Sequence, residues 1–261
     1  MPIVNADRYR SLLDPDELQR AERFKVASAL DTFLTSRAAQ RLVLSRYLGC
    51  PPQEVRIARD CLLCAGAGRA GPTGRDEHGR PYVAGSGVDF SVSHTAGWLV
   101  IAVVGDGRVG VDIESVSATR SVEELADRVL SPAEQQQFQL VPPEERPASF
   151  LRAWTRKEAA VKLTGHGLIA AFSQLDVTGL ELVASPPPDQ WPAEPIHLLD
   201  IASGASLRTA VASTTRVTEV RLCGPVPDVA PGVEPDLEPD LEPDTAPGVE
   251  PGGNATGPAA L

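Results

Sequence analysis

The sequence predicts an α+β fold of two similar halves, residues 1–105 and 106–224, followed by a disordered acidic, proline-rich tail over 225–261. Three observations support this. Two stretches of helical periodicity, 33–48 and 148–164, each end at a glycine, Gly49 or Gly165. Each is followed by a loop, a short strand-like run and further β-type runs, which in the first half end in WLVIAVV at 98–104. The composition then changes: Pro231, Pro235, Pro239, Pro243, Pro247 and Pro251 recur every four residues. Prolines at that spacing interrupt any helix or ladder, and the charge between them is all negative, so this is an extended arm for interaction or solubility, or an unselected extension. Two pseudo-equivalent halves would bury a cleft between them, where ligands commonly sit.

The elements follow in order. The first helical region, 12–48, opens with the start signal Asp14-Pro15-Asp16-Glu17. Leu34, Ala38, Leu42, Leu44, Tyr47 and Leu48 give an apolar stripe with Arg37 and Arg41 beside it, and Gly49 with Pro51-Pro52 ends it. Residues 55–58 read as a short strand and 61–79 as a glycine-rich loop. Residues 88–93 and 98–104 are strand-like, and Gly105-Asp106-Gly107 is a hairpin turn signal that makes 108–114 the returning strand. In that strand Val109, Val111 and Ile113 face one way and Gly110, Asp112 and Glu114 the other. The two carboxylates therefore share a face, roughly 6.5–7 Å apart. Ser121 and Glu124 form a capping box for a helix over 121–129, and Ser131-Pro132-Ala133-Glu134 opens another that runs to about Leu140. After the long helix 148–164, strands over 175–182, 196–201, 207–212 and 218–222 complete the set.

With 261 residues, 42% of them apolar, the chain can bury a packed core. Its net charge of −11 is uneven. Eight acids and no Lys or Arg lie from Pro225 onward, and setting those eight aside leaves −3 for the rest. No nucleic-acid partner is expected. No run resembles a signal peptide or a membrane span, the longest apolar stretch being the strand-length 98–104, so no membrane association is expected either. Four cysteines without a secretory signal fit a reducing cytoplasm. Only three of the 24 basic residues are lysines, Lys25, Lys157 and Lys162. Two of them fall in one short segment, either by chance on a helix surface or because a compact, mobile ammonium is wanted there.

Two segments carry the chemistry. GVDIE, 110–114, places Asp112 and Glu114 one residue apart. WTRKEAAVK, 154–162, places Trp154, Glu158 and Lys162 in one column on a helix, with Lys157 and Val161 beside it. Alone, that column is an ordinary Glu–Lys pair on a solvated face. Brought up to Asp112 and Glu114, it supplies three acidic oxygen donors for a hard cation, and a lysine for the anionic group that the cation holds. That combination points to chemistry on a phosphate ester. FSVSH, 90–94, puts Ser93 and His94 at a strand end, where hydroxyl, imidazole and backbone N–H groups can bind phosphate. Adjacent strand residues point oppositely, so the two cannot form a nucleophile–base pair. His78-Gly79-Arg80-Pro81 reads as a turn presenting an arginine. Two other patterns are set aside. GAGRAG, 66–71, matches a dinucleotide fingerprint only literally, since Pro72, Gly74, Gly79 and Pro81 follow where a helix is required. Cys61-Leu-Leu-Cys64 is half a zinc site with no second pair at ligand spacing.

In this order and at this spacing, GRP (79–81), FSVSH, GVDIE and WTRKEAAVK closely resemble the motifs of the Sfp-type 4′-phosphopantetheinyl transferases. The subgroup is the one with a W-x-x-K-E-A-x-x-K motif, and the run from Gly167 to Val177 fits its continuation. The resemblance implies a monomer of two similar α+β halves with coenzyme A and magnesium (Mg2+) between them. It implies transfer of the phosphopantetheine arm of coenzyme A to a serine of an acyl or peptidyl carrier protein, releasing 3′,5′-ADP. Carriers of polyketide, nonribosomal-peptide and fatty-acid synthesis all qualify. The implied metal ligands are Asp112, Glu114 and Glu158. The implied phosphate contacts are Arg80, His94 and Lys162, with Ser93 beside them, and Arg80 stands where the family commonly has lysine. Arg20, Arg23, Arg37 and Arg41 are candidates for the nucleotide end of coenzyme A. Glu158 is the candidate base for the carrier serine, and Lys157 a candidate to protonate or stabilise the leaving phosphate. The alternative is a non-catalytic coenzyme A- or nucleotide-binding protein of the same fold, which would be expected to have lost one of these groups.

Overall fold

A computed structural model describes residues 6–62, 78–95, 97–116 and 122–224. They belong to one compact unit. The proline-rich tail, the GAGRAG run, Cys64 and the Ser121 cap lie outside the described residues.

The start signal at Asp14 forms a full capping box. Asp14 accepts from Glu17 N, and the Glu17 carboxylate accepts from Asp14 N, which opens α1 (Pro15–Ala21). The chain breaks and restarts as α2 (Ala27–Leu48), ended by Gly49 in the left-handed conformation. Arg41, buried on α2, reaches back to Asp14 at 3.2 Å and Glu17 at 2.8 Å. Arg37 meets Glu17 at 3.5 Å and lies over the Phe33 ring. These two arginines hold α1 onto α2.

β1 (Ala58–Asp60) pairs antiparallel with β2 (Arg80–Tyr82), so the first strand starts later than its periodicity suggests, and Arg80 sits in a strand rather than at a turn. β3 (Asp89–Thr95) and β4 (Trp98–Val104) form an antiparallel hairpin. One face of β3 sends Phe90 into a core with Leu44 of α2 and Val55. The other face is polar throughout: Asp89, Ser91, Ser93 and Thr95.

β5 (Val109–Ser115) does not return onto β4 as the Gly105-Asp106-Gly107 signal suggests. It is the edge of a separate antiparallel sheet of order β5-β9-β8, with β8 at His197–Ile201 and β9 at Leu207–Ser213. Its other edge lies along the polar face of β3. The N–H groups of Val109, Val111 and Ile113 donate to the side chains of Asp89, Ser91 and Ser93, at 2.8, 3.1 and 3.4 Å. The constant offset of 20 residues means that β3 and β5 run in the same direction. Side-chain oxygens stand where the carbonyls of a parallel ladder would.

Three helices complete the unit: α3 (Val122–Val129), α4 (Pro132–Leu140) and α5 (Arg146–Thr164). Ser131 and Glu134 form a capping box at the expected start of α4, and left-handed Gly165 ends α5. α5 lies across β5 and β9 with Ala159, Ala160 and Leu163 packed against Val177, Ile196, Leu198, Ala210 and Ala212. Trp154 meets Phe150 and Phe172 and anchors the helix, as its place in the column suggests. The expected strand 175–182 shrinks to β6 (Leu175–Asp176), paired with β7 (Val183–Ala184), because the Asp176 carboxylate accepts from Thr178 N and Oγ1 and turns the chain. No strand forms over 218–222, where Val220 and Leu222 are exposed and have no core to face. The order helix, left-handed glycine, 3-10 turn, short strand does recur in both halves, but a hairpin in the first corresponds to three strands in the second. Among the described residues no helix is long and apolar enough to cross a membrane.

Gly110 decides how closely α5 approaches β5. A Cβ there would stand 1.9 Å from the Ala159 carbonyl oxygen and 2.7 Å from Leu163 N. Gly110→Ala is therefore expected to push α5 off the sheet and to cost at least about 1–3 kcal/mol in urea unfolding. Unchanged stability would mean that the helix does not pack this tightly.

Candidate active site

Gly110 lets α5 come close, and the next two residues on its face of β5 are Asp112 and Glu114. They meet the helix one turn apart, where Glu158 and Lys162 project. Lys162 Nζ donates to Asp112 Oδ1 at 2.6 Å and to Ser93 Oγ at 2.7 Å. Ser93 Oγ donates to the same Asp112 oxygen at 2.7 Å and accepts from Ile113 N. Thr95 Oγ1 donates to Glu114 Oε2 at 3.3 Å. Three elements thus meet at one carboxylate: β3 through Ser93, β5 through Asp112 and α5 through Lys162.

The electrostatics follow from that convergence. Burial raises the Glu158 pKa; the Asp112 charge adds to this, Lys162 opposes it and Glu114 adds again. A carboxyl whose pKa rises on folding is favoured below its ordinary range, and that advantage is lost as pH climbs through the raised value. The Asp112 and Glu114 charges thus disfavour a charged Glu158, a cost that an arriving cation would remove. His94 projects from the opposite side of β3, exposed at the rim. Loss of solvent and the Lys162 charge lower its pKa against a weaker pull from Asp112, so the imidazole is neutral at pH 7.

The donor set suits a hard divalent cation, being all carboxylate oxygen. Asp112 Oδ2 is buried with no hydrogen-bond partner, an oxygen that calls for a cation or water. The ligands are not pre-gathered, however. Among the described residues no three His, Cys, Asp or Glu side chains stand as a metal-ready group. Lys162 and Ser93 take the other Asp112 oxygen instead.

The structure corrects several expectations. Lys157 does not face the cleft. It is fully buried, with Nζ donating to the carbonyls of Val129 at 2.7 Å and Phe172 at 2.9 Å and pairing with Glu134 at 2.5 Å. One residue along a helix is about 100° around it, so Lys157 and Glu158 point to different faces. Burial lowers the Lys157 pKa although Glu134 resists. Glu134 also accepts from Val177 N and Ser131 N, so the pair ties α4, α5 and the 129–131 and 172–177 segments together. Arg37 and Arg41 are turned toward α1 and engaged with its acids, which removes them as nucleotide contacts. Arg80 ion-pairs with Asp89 and donates from Nε to the Leu163 carbonyl at 2.9 Å, clasping the last turn of α5 to β3. Ser93 has its proton and both lone pairs engaged and serves to organise Asp112 and Lys162. Asp89, Ser91 and Thr95 were missed in the sequence, although their period-2 polarity beside Ser93 is visible there.

Residues 108–208 match the family model of the 4′-phosphopantetheinyl transferase superfamily, a span that holds Asp112, Glu114, Glu158 and Lys162. The similarity to that superfamily rests on the segment that carries the site. A Synechocystis protein provisionally named as such a transferase is 30% identical over 172 residues, 64% of this chain and 63% of that one. The 4′-phosphopantetheinyl transferase HetI of Nostoc is 31% identical over 63% of this chain and 64% of its own. The 4′-phosphopantetheinyl transferase psf-1 of Bacillus pumilus is 37% identical over 84 residues, 32% of this chain and 35% of its own. The chain thus spans just under two thirds of the length of the first two relatives.

The buried Lys157–Glu134 pair is expected to be structural. Lys157→Met leaves Glu134 uncompensated and is expected to cost about 3–5 kcal/mol in denaturant unfolding, with Glu134→Gln on top restoring part of it. A Lys157→Met protein with native stability and no turnover would return Lys157 to the chemistry.

Proposed function

We propose that this protein transfers the 4′-phosphopantetheine arm of coenzyme A to a serine of an acyl or peptidyl carrier protein, releasing 3′,5′-ADP, with Mg2+ as its divalent ion. The observation that carries the reading is the convergence of Asp112, Glu114, Glu158 and Lys162 between β5 and α5, with Ser93 fixing the first to the last. Carriers of polyketide, nonribosomal-peptide and fatty-acid synthesis fit equally, and the setting is a monomer in the cytoplasm.

The transfer forms a bond from the carrier serine oxygen to the pantetheine-bearing phosphorus and breaks the bridging P–O bond of the diphosphate. Little covalent work falls to the protein, which positions the reactants and offsets charge. Asp112, Glu114 and Glu158 would hold Mg2+, which supplies neutralisation of the diphosphate oxygens. Lys162 adds a point charge on the diphosphate, and neutral His94 at the rim offers a hydrogen bond to it. The raised pKa of Glu158 suits it to accept the serine proton, directly or through a water. Arg80 and Ser93 act by holding β3 against α5 and Asp112 against Lys162.

The test is intact-mass spectrometry of apo-carriers incubated with the protein, coenzyme A and Mg2+. The expected result is a gain of one phosphopantetheinyl group, slowed at least ~10²–10³-fold in Asp112→Ala. Glu158→Gln is expected to slow it about 10²–10⁴-fold. Near-normal turnover with Glu158→Gln would remove the base assignment, and no mass gain on any carrier class would contradict the function.

A further inference from the structure

Asp112 Oδ1 already has two donors, Lys162 Nζ at 2.6 Å and Ser93 Oγ at 2.7 Å, which is the full capacity of a carboxylate oxygen. Resting on the metal assignment above, we infer that Lys162 is a tethered cation that holds the metal's place on Asp112. A divalent ion arriving at the unpartnered Oδ2 would repel Lys162 from Oδ1, and the released ammonium would transfer to the diphosphate.

Three features support the exchange. A divalent ion on Asp112 would stand a few ångströms from the ammonium, in a partly buried site where salt screens weakly. Only one of the two is free to move. Asp112 and Ser93 are fixed in strands and buried, whereas Lys162 is a flexible four-carbon stem whose side chain is 30% exposed. The charge balance also favours it. With Asp112, Glu114 and Glu158 ionised the cluster carries −3, which Lys162 alone reduces to −2 and a divalent ion alone reduces to −1, so the ion replaces the ammonium with charge to spare and the ammonium can leave for an incoming anion. No bond is made or broken; Lys162 changes partner from carboxylate to phosphate.

The consequence is linkage. Coenzyme A, by taking Lys162, tightens metal binding, and the metal by reciprocity tightens coenzyme A binding. Lys162 thereby disfavours metal binding without substrate.

The test is Mn2+ binding to the full-length protein, read by electron paramagnetic resonance of the free ion. Without coenzyme A, Lys162→Met is expected to bind Mn2+ about 10-fold or more tightly than the unmodified protein, within the usual span of coupling between sites. Ser93→Ala changes no charge but removes the second anchor of Lys162, and it is expected to tighten binding about threefold, a lesser share of that coupling. Coenzyme A is expected to tighten Mn2+ binding in the unmodified protein and to do so less in Lys162→Met. Asp112→Ala is expected to lose the site. If Asp112→Ala loses binding but neither of the other variants gains it, the exchange is overturned and the metal site stands. A gain in Lys162→Met alone would reflect plain charge removal and overturn the tether. Mn2+ binding by Asp112→Ala at the original strength would instead overturn the metal assignment on which the inference rests.

Discussion

The donors at Val109, Val111 and Ile113 face an edge of β5 that no backbone strand pairs through its carbonyls. Buried N–H groups left without acceptors cost about 1–3 kcal/mol each, so such an edge must be paired or covered. Here Asp89, Ser91 and Ser93 pair it with side-chain oxygens, and the rest of the structure depends on that substitution. It joins the hairpin that packs under α2 to the three-stranded sheet that packs under α5. The result is one compact unit although no ladder runs between the two sheets.

The same three positions explain why a site forms where it does. Asp89 is held by Arg80, which also grips the C-terminal turn of α5 through Leu163. Ser93 lies two steps further along β3 and contributes twice, accepting from the β5 backbone and bonding the Asp112 side chain. Gly110 removes the side chain that would keep α5 away, so Lys162 can close the third corner. Structural satisfaction and functional placement are therefore performed by the same atoms. Lys157 shows the opposite division: it neighbours Glu158 in sequence, yet its ammonium lies in the interior with Glu134 and two carbonyls.

What could be read in the sequence was local. The Asp14 and Ser131 capping boxes, the glycines that end α2 and α5, and the shared face of Gly110, Asp112 and Glu114 are set by chemistry within a few residues, and they formed. The ordered motifs carry the superfamily resemblance for the same reason. What could not be read was which element meets which. Gly105-Asp106-Gly107 looks like a hairpin because a turn signal reports the bend and says nothing of the partner, and β5 went to β9. Arg37 and Arg41 looked available because their partners, Asp14 and Glu17, lie 20 to 27 residues away across a helix break. The expected strand over 218–222 had alternation but no core to face.

We place the active site at the junction of β3, β5 and α5, with Lys162 as its movable cation. The most direct test is the anomalous signal of Mn2+ in crystals grown with coenzyme A. The expected result is one strong peak at coordination distance from Asp112, Glu114 and Glu158, with Lys162 Nζ moved off Asp112 Oδ1 and onto the diphosphate. A peak elsewhere on the molecule, or an occupied site with Lys162 still bound to Asp112, would contradict it.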